Sequence, residues 1–254
     1  MASPSHLKAV LLDLDDTLIP EAEPLTLAYQ AVAEAVWGPQ ATEQQALDIR
    51  SAAREYWDAH APEPEYRERV HLGPSDGLSS QLTGDGTERA ELREFVRDFH
   101  AHAFDAALPD GFAGDSATLR QVFWAARLSE QTIFPDAIEL LETLRESYKL
   151  ALVTNGASDF QREKINGTDL GQYFDAIIVS GDLGTGKPDP APFYAALAAL
   201  DVNADEVVMI GNDKARDIAG ADRAGIRSIW VQPGDPTQTD AVTDLLEIPS
   251  LLAG

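Results

Sequence analysis

The segment KAVLLDLDDTLIP, Lys8–Pro20, places three carboxylates directly after a short apolar run. The run Ala9–Leu12 is typical of a buried strand, because it is short, apolar and partly β-branched. Asp13, Asp15 and Asp16 follow it within four residues. Two carboxylates about 4 Å apart repel each other by roughly 4 kcal/mol at an effective dielectric constant near 20. Their crowding at the end of a core strand indicates that a cation belongs there.

The second half of the chain alternates helical and strand patterns. Helices are predicted over 135–148, 158–166, 190–200 and 214–224. The strands predicted between and after them are Leu150–Thr154, Ala176–Ser180, Val207–Gly211 and Ser228–Val231. Near-continuous apolar strands that alternate with helices predict an α/β fold, with a parallel sheet covered on both faces.

The stretch between the first strand and this half is helical in pattern. Helices are predicted over Pro24–Trp37, Thr42–His60, Glu88–Leu108 and Asp115–Leu128. The interruption PEPEYRERVHLGPSDG, residues 62–77, is rich in turn formers and is predicted to be a connection. Two neighbouring parallel strands need a crossover of only about a dozen residues or more. The much longer separation of Asp15 from Thr154 therefore predicts an inserted domain over 21–130, with 1–20 and 131–254 forming the core.

Polar residues follow each predicted core strand. In a parallel sheet ligands bind at the carboxyl ends of the strands, so these residues are expected to meet. The candidates are Asp13 and Asp15, Thr154 and Asn155, Lys187, and Asn212, Asp213 and Asp217.

The residue types suit one kind of chemistry. Carboxylate and amide oxygens, with no cysteine in the chain and no histidine nearby, suit Mg²⁺ rather than zinc. The Thr154 hydroxyl and the Lys187 ammonium suit the oxygens of a phosphoryl group. One carboxylate can act as a nucleophile towards phosphorus, and a second can transfer the proton.

The charge and the sequence pattern argue against nucleic acid as a partner, a membrane helix and a signal peptide. The formal net charge of −24 leaves no basic footprint for nucleic acid. No apolar run approaches the ~18 residues of a membrane helix. The start of the chain lacks the pattern of a signal peptide. We therefore expect a cytoplasmic protein, taken as a monomer or homodimer. The residue types that suit a phosphoryl group predict a small phosphorylated metabolite as its partner.

The motifs LLDLDDTL, LVTNG, GKPDP and IGNDKARD occur in this order, each after a predicted strand. Together they resemble the haloacid dehalogenase superfamily of phosphotransferases. The resemblance implies a Rossmann-like three-layer core with an inserted all-α cap. It implies that Asp13 is the nucleophile and Asp15 the general acid/base. It also implies that the phosphoryl group is bound by Thr154, Asn155 and Lys187.

The resemblance further implies a Mg²⁺ ion held by Asp13, the backbone carbonyl of Asp15 and the fourth motif. That motif departs from the usual pattern, because Asn212 stands where the family usually has a metal-binding aspartate. Asp217 matches the second acid of the motif, and Asp213 is a neighbouring carboxylate that could supply the missing charge. The ligand in this motif is left open among the three residues.

The favoured function is a Mg²⁺-dependent phosphatase that hydrolyses a nucleotide or sugar phosphate through an aspartyl-phosphate. The second half of the chain is similar to the branch that contains nucleoside monophosphate phosphatases and N-acylneuraminate-9-phosphatases. A phosphomutase uses the same intermediate and stays open. A haloacid dehalogenase would not need the carboxylate of Asp15. A non-catalytic binding protein on the same fold is the remaining alternative.

Overall fold

The computed structural model describes residues 7–83, 89–235 and 237–253. The start of the chain and Glu88, the predicted first residue of a helix, lie outside these ranges. The chain divides into two compact units. The first consists of Met1–Pro20, Thr132–Asn155 and Thr168–Gly254, and the second of Glu21–Gln131 and Gly156–Gly167.

The described part of the first unit contains a five-stranded parallel sheet in the order β3-β2-β1-β4-β5. Its strands are β1 Ala9–Leu12, β2 Lys149–Thr154, β3 Ala176–Val179, β4 Val207–Gly211 and β5 Arg227–Trp230. The central strand β1 is buried along its whole length, and Leu12 pairs with Leu152 on one side and Ile210 on the other. The predicted α/β class is confirmed, and the core is Rossmann-like.

The helices connect and surround these strands. In chain order they are α1 Ala22–Trp37, α2 Glu43–His60, α3 Pro64–Val70, α4 Pro74–Ser79, α5 Ala90–His102, α6 Ser116–Ser129, α7 Ala137–Arg145, α8 Ser158–Gly167, α9 Ser180–Leu183, α10 Ala191–Leu200, α11 Ala219–Arg223 and α12 Ile248–Ala253. A π-helical turn, Lys214–Ile218, precedes α11, so the single helix predicted over 214–224 is two different elements.

Alternate strand residues pack against the helices of the first unit. Leu11 and Met209 lie in one apolar cluster with Phe193 of α10 and Ala221 of α11. Because strand side chains alternate between faces, this cluster accounts for one face of the sheet. The other residues of β1 are also fully buried, and α7 contacts β2 and α12. The strands are thus held with their carboxyl ends on one edge.

The second unit is helical and contains α1–α6 and α8. Its apolar core includes Trp57, whose ring meets Phe95 and Phe99 edge-on at centroid distances of 5.3 Å. Gly77 in α4 lies against the same ring, since a Cβ there would be 2.2 Å from Cζ3 of Trp57. The helix α2 begins after Thr42, which forms a capping box with Gln45.

Two features of this unit differ from the sequence expectation. The turn-rich stretch 62–77 forms helices α3 and α4, because Pro64 and Pro74 each stand at the first helical position, where a proline needs no amide hydrogen. The boundary predicted at 131 assigned α8 to the sheet, whereas α8 groups with the helical unit. Phe160 of α8 lies in the apolar core of that unit, which explains the grouping. The function of this unit as a cap stays a prediction.

Candidate active site

Asp13 lies at the carboxyl end of the central strand. Its amide donates to the carbonyl of Ile210 at 3.0 Å, which extends the pairing of β1 with β4 by one residue. Its side chain is buried, and the chain then turns back so that the amide of Asp16 donates to the carbonyl of Ile19 at 2.7 Å. Asp16 has a φ of 57°, a left-handed conformation that aspartate tolerates better than most residues. Asp15 is half-buried and forms a main-chain bridge to Ile19.

Lys187 joins two buried carboxylates. Its Nζ lies 2.5 Å from Oδ1 of Asp13 and 2.7 Å from Oδ1 of Asp217. The side chains of Lys187, Asp13 and Asp217 are 2%, 9% and 1% exposed, so water screens these charges little. One ammonium faces two carboxylates, which leaves an excess negative charge in the cluster when both are ionised.

The pKa values of Asp13 and Lys187 reflect the contact of one ammonium with two carboxylates. Burial, together with the carboxylate of Asp217, raises the pKa of Asp13 to about 7 against the opposing attraction of Lys187. Burial by itself would lower the pKa of Lys187, but the attraction of both carboxylates outweighs it and the pKa is raised. Lys187 therefore stays protonated, and the charge of Asp13 is only partly compensated when its carboxyl group is ionised.

Asn155 fixes the main chain of Lys187 from the end of β2. Its Nδ2 donates to the Lys187 carbonyl at 2.8 Å, and its Oδ1 accepts from the Lys187 amide at 2.9 Å. Gly186 permits this approach, because a Cβ there would lie 2.6 Å from Oδ1 of Asn155. The structure thus shows Asn155 holding Lys187, a contact that sequence analysis did not foresee. Thr154 is buried beside it, with Oγ1 3.4 Å from the Asn155 carbonyl.

Asp217 is held by the π-helical turn after β4. Its carboxylate accepts from the amide of Asp213 at 2.9 Å, while the Asp213 carbonyl accepts from the amide of Asp217 at 2.8 Å. Gly211 leaves room for this carboxylate, since a Cβ there would be 2.4 Å from Oδ2 of Asp217. A π-helical turn is rare and is often found at functional sites.

The carboxylate of Asp213 makes different contacts from that of Asp217. Its Oδ1 accepts from the amides of Ala215 and Arg216 at 2.8 and 3.0 Å, and its Oδ2 pairs with Nε of Arg216 at 2.8 Å. Both carboxylate oxygens are therefore used by the turn that follows. Asp213 acts as the cap of this turn.

Asn212 and Asp13 share a hydroxyl group. Oγ1 of Thr17 lies 3.3 Å from Oδ2 of Asp13 and 3.5 Å from Oδ1 of Asn212. The carbonyl of Asn212 accepts two further bonds, from Nε1 of Trp230 at 2.7 Å and Nε2 of Gln232 at 2.9 Å. Sequence analysis missed these two donors. The signal available was their position, since Trp230 ends the fifth strand and Gln232 lies two residues beyond it.

The donor set decides which metal would fit. In the described ranges, no group of three or more histidine, cysteine, aspartate or glutamate side chains is arranged to hold a metal ion. A site here must combine Asp13 with neutral oxygens such as the amide oxygen of Asn212. One or two carboxylates with neutral oxygens, completed by water and phosphate, match the usual protein ligands of Mg²⁺.

The family model of the haloacid dehalogenase-like hydrolases matches residues 7–225. The chain belongs to the haloacid dehalogenase-like hydrolase family. The match includes all four motifs, and the resemblance predicted from them is confirmed. The protein is therefore an enzyme of the hydrolase class.

Relatives within the haloacid dehalogenase-like family include phosphatases. The chain is 33% identical to the phosphoserine phosphatase of Thermus thermophilus over 243 residues, which is 94% of each protein. It is 34% identical to the human N-acylneuraminate-9-phosphatase over 136 residues, 50% of this chain and 55% of that protein. Its fold is similar to that of a solved 2-haloacid dehalogenase from Pseudomonas syringae, with a TM-score of 0.63, 28% identity, and coverage of 97% and 98% of the two chains.

The helices of this family member are short or polar compared with a segment that crosses a bilayer. In the part of the chain that the structure describes, none is both long and apolar enough to span one.

Proposed function

We propose that the protein is a Mg²⁺-dependent phosphatase that hydrolyses a small phosphate monoester through an aspartyl-phosphate. The observation that carries this proposal is the buried contact of Lys187 with Asp13. One oxygen of Asp13 is held by the ammonium and the other faces the Thr17 hydroxyl that Asn212 shares. A carboxylate placed between a fixed cation and neutral oxygen ligands suits attack on an anionic phosphoryl group.

The comparisons support a phosphate ester as the substrate. One relative matched over nearly its whole length is a phosphoserine phosphatase, and an N-acylneuraminate-9-phosphatase matches half of the chain. A nucleotide or sugar phosphate is the substrate class we propose. The solved dehalogenase shares the fold, but displacement of halide from carbon does not need an acid/base carboxylate at Asp15.

The proposed reaction has two steps. In the first, a carboxylate oxygen of Asp13 forms a bond to phosphorus, the bond from phosphorus to the ester oxygen breaks, and Asp15 gives its proton to the leaving oxygen. In the second, Asp15 takes a proton from water, the water oxygen attacks phosphorus, and the bond to Asp13 breaks. Inorganic phosphate and the alcohol are the products. Lys187 stays protonated and balances the charge of the phosphoryl oxygens, together with the Thr154 hydroxyl.

The residues proposed to hold Mg²⁺ are Asp13, the main-chain carbonyl of Asp15, and Asn212. When bound, the ion would neutralise charge on the phosphoryl oxygens. Asp217 contributes from a distance by holding Lys187 and the amide of Asp213. Asp213 contributes by capping the turn.

Hydrolysis of an aryl phosphate, measured with Mg²⁺ and with a chelator, tests this proposal. The variants are Asp13→Asn and Asp16→Asn, which make the same chemical change three positions apart. Asn tolerates the left-handed conformation of Asp16, so the control keeps its fold. We expect turnover to require Mg²⁺, to vanish in Asp13→Asn and to persist in Asp16→Asn. Near-normal turnover in Asp13→Asn would refute the aspartyl-phosphate mechanism. A phosphate-ester panel that includes phosphoserine follows if the aryl ester is not cleaved, and no turnover on the panel would refute the proposed activity.

A further inference from the structure

The main-chain carbonyl of Asn212 is bound by two side chains from one segment. Trp230 donates from Nε1 at 2.7 Å and Gln232 donates from Nε2 at 2.9 Å. A carbonyl oxygen has two lone pairs, so these donors use its whole hydrogen-bonding capacity. Side-chain donors converging in this way fix the peptide plane between Asn212 and Asp213.

Both donors are themselves anchored. The carbonyl of Trp230 accepts from the amide of Val242 at 3.0 Å, and the amide of Gln232 donates to the Val242 carbonyl at 2.9 Å. The residue between them, Val231, donates its amide to the Gly211 carbonyl at 3.0 Å. The segment that carries the donors is therefore tied to β4 on one side and to Val242 on the other.

Trp230 also contacts Lys214, the residue that follows Asp213. The Lys214 ammonium lies 3.5 Å from the centroid of the Trp230 ring, a close cation–π contact. The indole thus touches the chain on both sides of Asp213, through its N–H at Asn212 and through its ring at Lys214.

We propose that Trp230 and Gln232 are positioning residues that orient Asn212 as the neutral ligand of the Mg²⁺ ion. This inference rests on the proposed function. A neutral amide oxygen offers an ion no net charge, so its contribution depends on where it points. Fixing the peptide of Asn212 fixes the origin of its side chain, whose Oδ1 faces the Thr17 hydroxyl that Asp13 also contacts.

The expected effect is a loss of metal affinity. Removing a residue that orients a metal ligand typically weakens metal binding by about 10–100-fold. Trp230→Phe removes the N–H and keeps an aromatic ring beside Lys214. Gln232→Met removes the second donor. The Gln232 side chain is half-buried, and methionine has a similar length. We expect Trp230→Phe to weaken Mg²⁺ binding about tenfold and Gln232→Met to weaken it in the same direction.

The experiment is a calorimetric titration of the substrate-free protein with MgCl₂, with Trp37→Phe as the matched control. Trp37 ends α1 in the helical unit, and its replacement should leave the affinity unchanged. Tryptophan fluorescence is followed in the same titration, and its Mg²⁺ response should be lost in Trp230→Phe and kept in Trp37→Phe. In turnover assays the Mg²⁺ concentration for half-maximal rate should rise, while kcat at saturating Mg²⁺ stays close to that of the wild type.

Measuring Trp230→Phe in an Asn212→Ala background shows whether the loss of Mg²⁺ affinity depends on the Asn212 side chain. If Trp230 acts through the Asn212 side chain, Trp230→Phe should cause no further loss of affinity when that side chain is already absent. An equal loss in both backgrounds would overturn the inference, as would unchanged affinity in both single variants. A wild-type protein that binds no Mg²⁺ would instead refute the proposed metal site itself. Gln232→Met keeps the test decisive if Trp230→Phe fails to fold.

Discussion

Replacing Lys187 by methionine tests how the charges balance in the buried cluster of Asp13, Lys187 and Asp217. The substitution keeps the length of the apolar stem and removes the ammonium that contacts both Asp13 and Asp217. Breaking a buried ion pair by removing one partner typically costs about 3–5 kcal/mol. The two carboxylate oxygens contact one nitrogen, so they lie within about 5 Å of each other and repel by ~3 kcal/mol at an effective dielectric constant of 20. We expect the free energy of unfolding to fall by about 3–5 kcal/mol at pH 9.

The loss should depend on pH with a definite sign. The pKa of Asp13 is already raised to about 7 with Lys187 present, and without the ammonium it must rise further. Between the unfolded pKa and this raised folded pKa, the folded state binds the proton that the unfolded state lacks. Stability contributed by that proton is present at low pH and is lost as pH rises through the folded pKa. The deficit of Lys187→Met should therefore shrink as pH falls from 9 to 6.

The assay is urea unfolding followed by circular dichroism in the presence of a chelator, at several pH values between 6 and 9. Lys164→Met is the matched control, because it also removes a buried lysine near a carboxylate. Its partner Glu21 is a quarter exposed and keeps the ion pair with Arg127, so we expect no such pH trend. Adding Asp217→Asn to Lys187→Met should recover about 2–3 kcal/mol at pH 9 by removing the repulsion. A deficit that is constant with pH, or an additive double variant, would refute this account.

Two further predictions concern the helical unit. Nε2 of His100 donates to the Gly77 carbonyl at 2.7 Å, and burial lowers the pKa of His100 from 6.5 to about 4. Between pH 6.5 and about 4 the unfolded state therefore binds a proton that the folded state excludes. The free energy of unfolding should fall by about 1–2 kcal/mol as the pH drops through this window, a value reduced to allow for the partial exposure of His100. His100→Gln should flatten that slope in urea unfolding at pH 4.5–7, and an unchanged slope would contradict the assignment. Gly77→Ala should destabilise the unit by about 3 kcal/mol, because its Cβ would lie 2.2 Å from the Trp57 ring. Gly167→Ala, where a Cβ meets no atom within 4 Å, is the control in thermal unfolding, and equal losses in the two variants would count against the packing argument.

The strands and the order of the motifs could be predicted from the sequence. Ala9–Leu12 and Val207–Gly211 are strands over the predicted residues, because apolar runs of this length between turn formers have few other ways to be buried. The α/β alternation then places the strand ends together. The structure accordingly brings Asp13, Lys187 and Asp217 into contact, although they are widely separated in the chain.

The roles of neighbouring polar residues could not be predicted in the same way. Asn212 and Asp213 both follow β4, and only the local turn decides that Asp213 caps it while Asn212 faces Thr17. The place of Asn155 at the phosphoryl group stays a prediction, and the structure adds a contact of its side-chain amide with the main chain of Lys187. Contacts of this kind depend on side-chain geometry within one or two residues, which hydrophobic periodicity does not record.

The central position of β1 has a consequence for synthesis of the chain. This strand is synthesised before the other four strands of the sheet, yet its two neighbours are β2 at Lys149–Thr154 and β4 at Val207–Gly211. At a translation rate of about 5–20 residues per second, roughly 10–40 s pass between the synthesis of the strand that leads to Asp13 and the synthesis of the second of its two partner strands. Most of the helical unit is continuous in sequence and is completed during that interval. A nascent chain with this strand order presents an unpaired apolar strand to solvent or to chaperones for many seconds, so conditions that slow translation should promote its aggregation before Asp13 is enclosed.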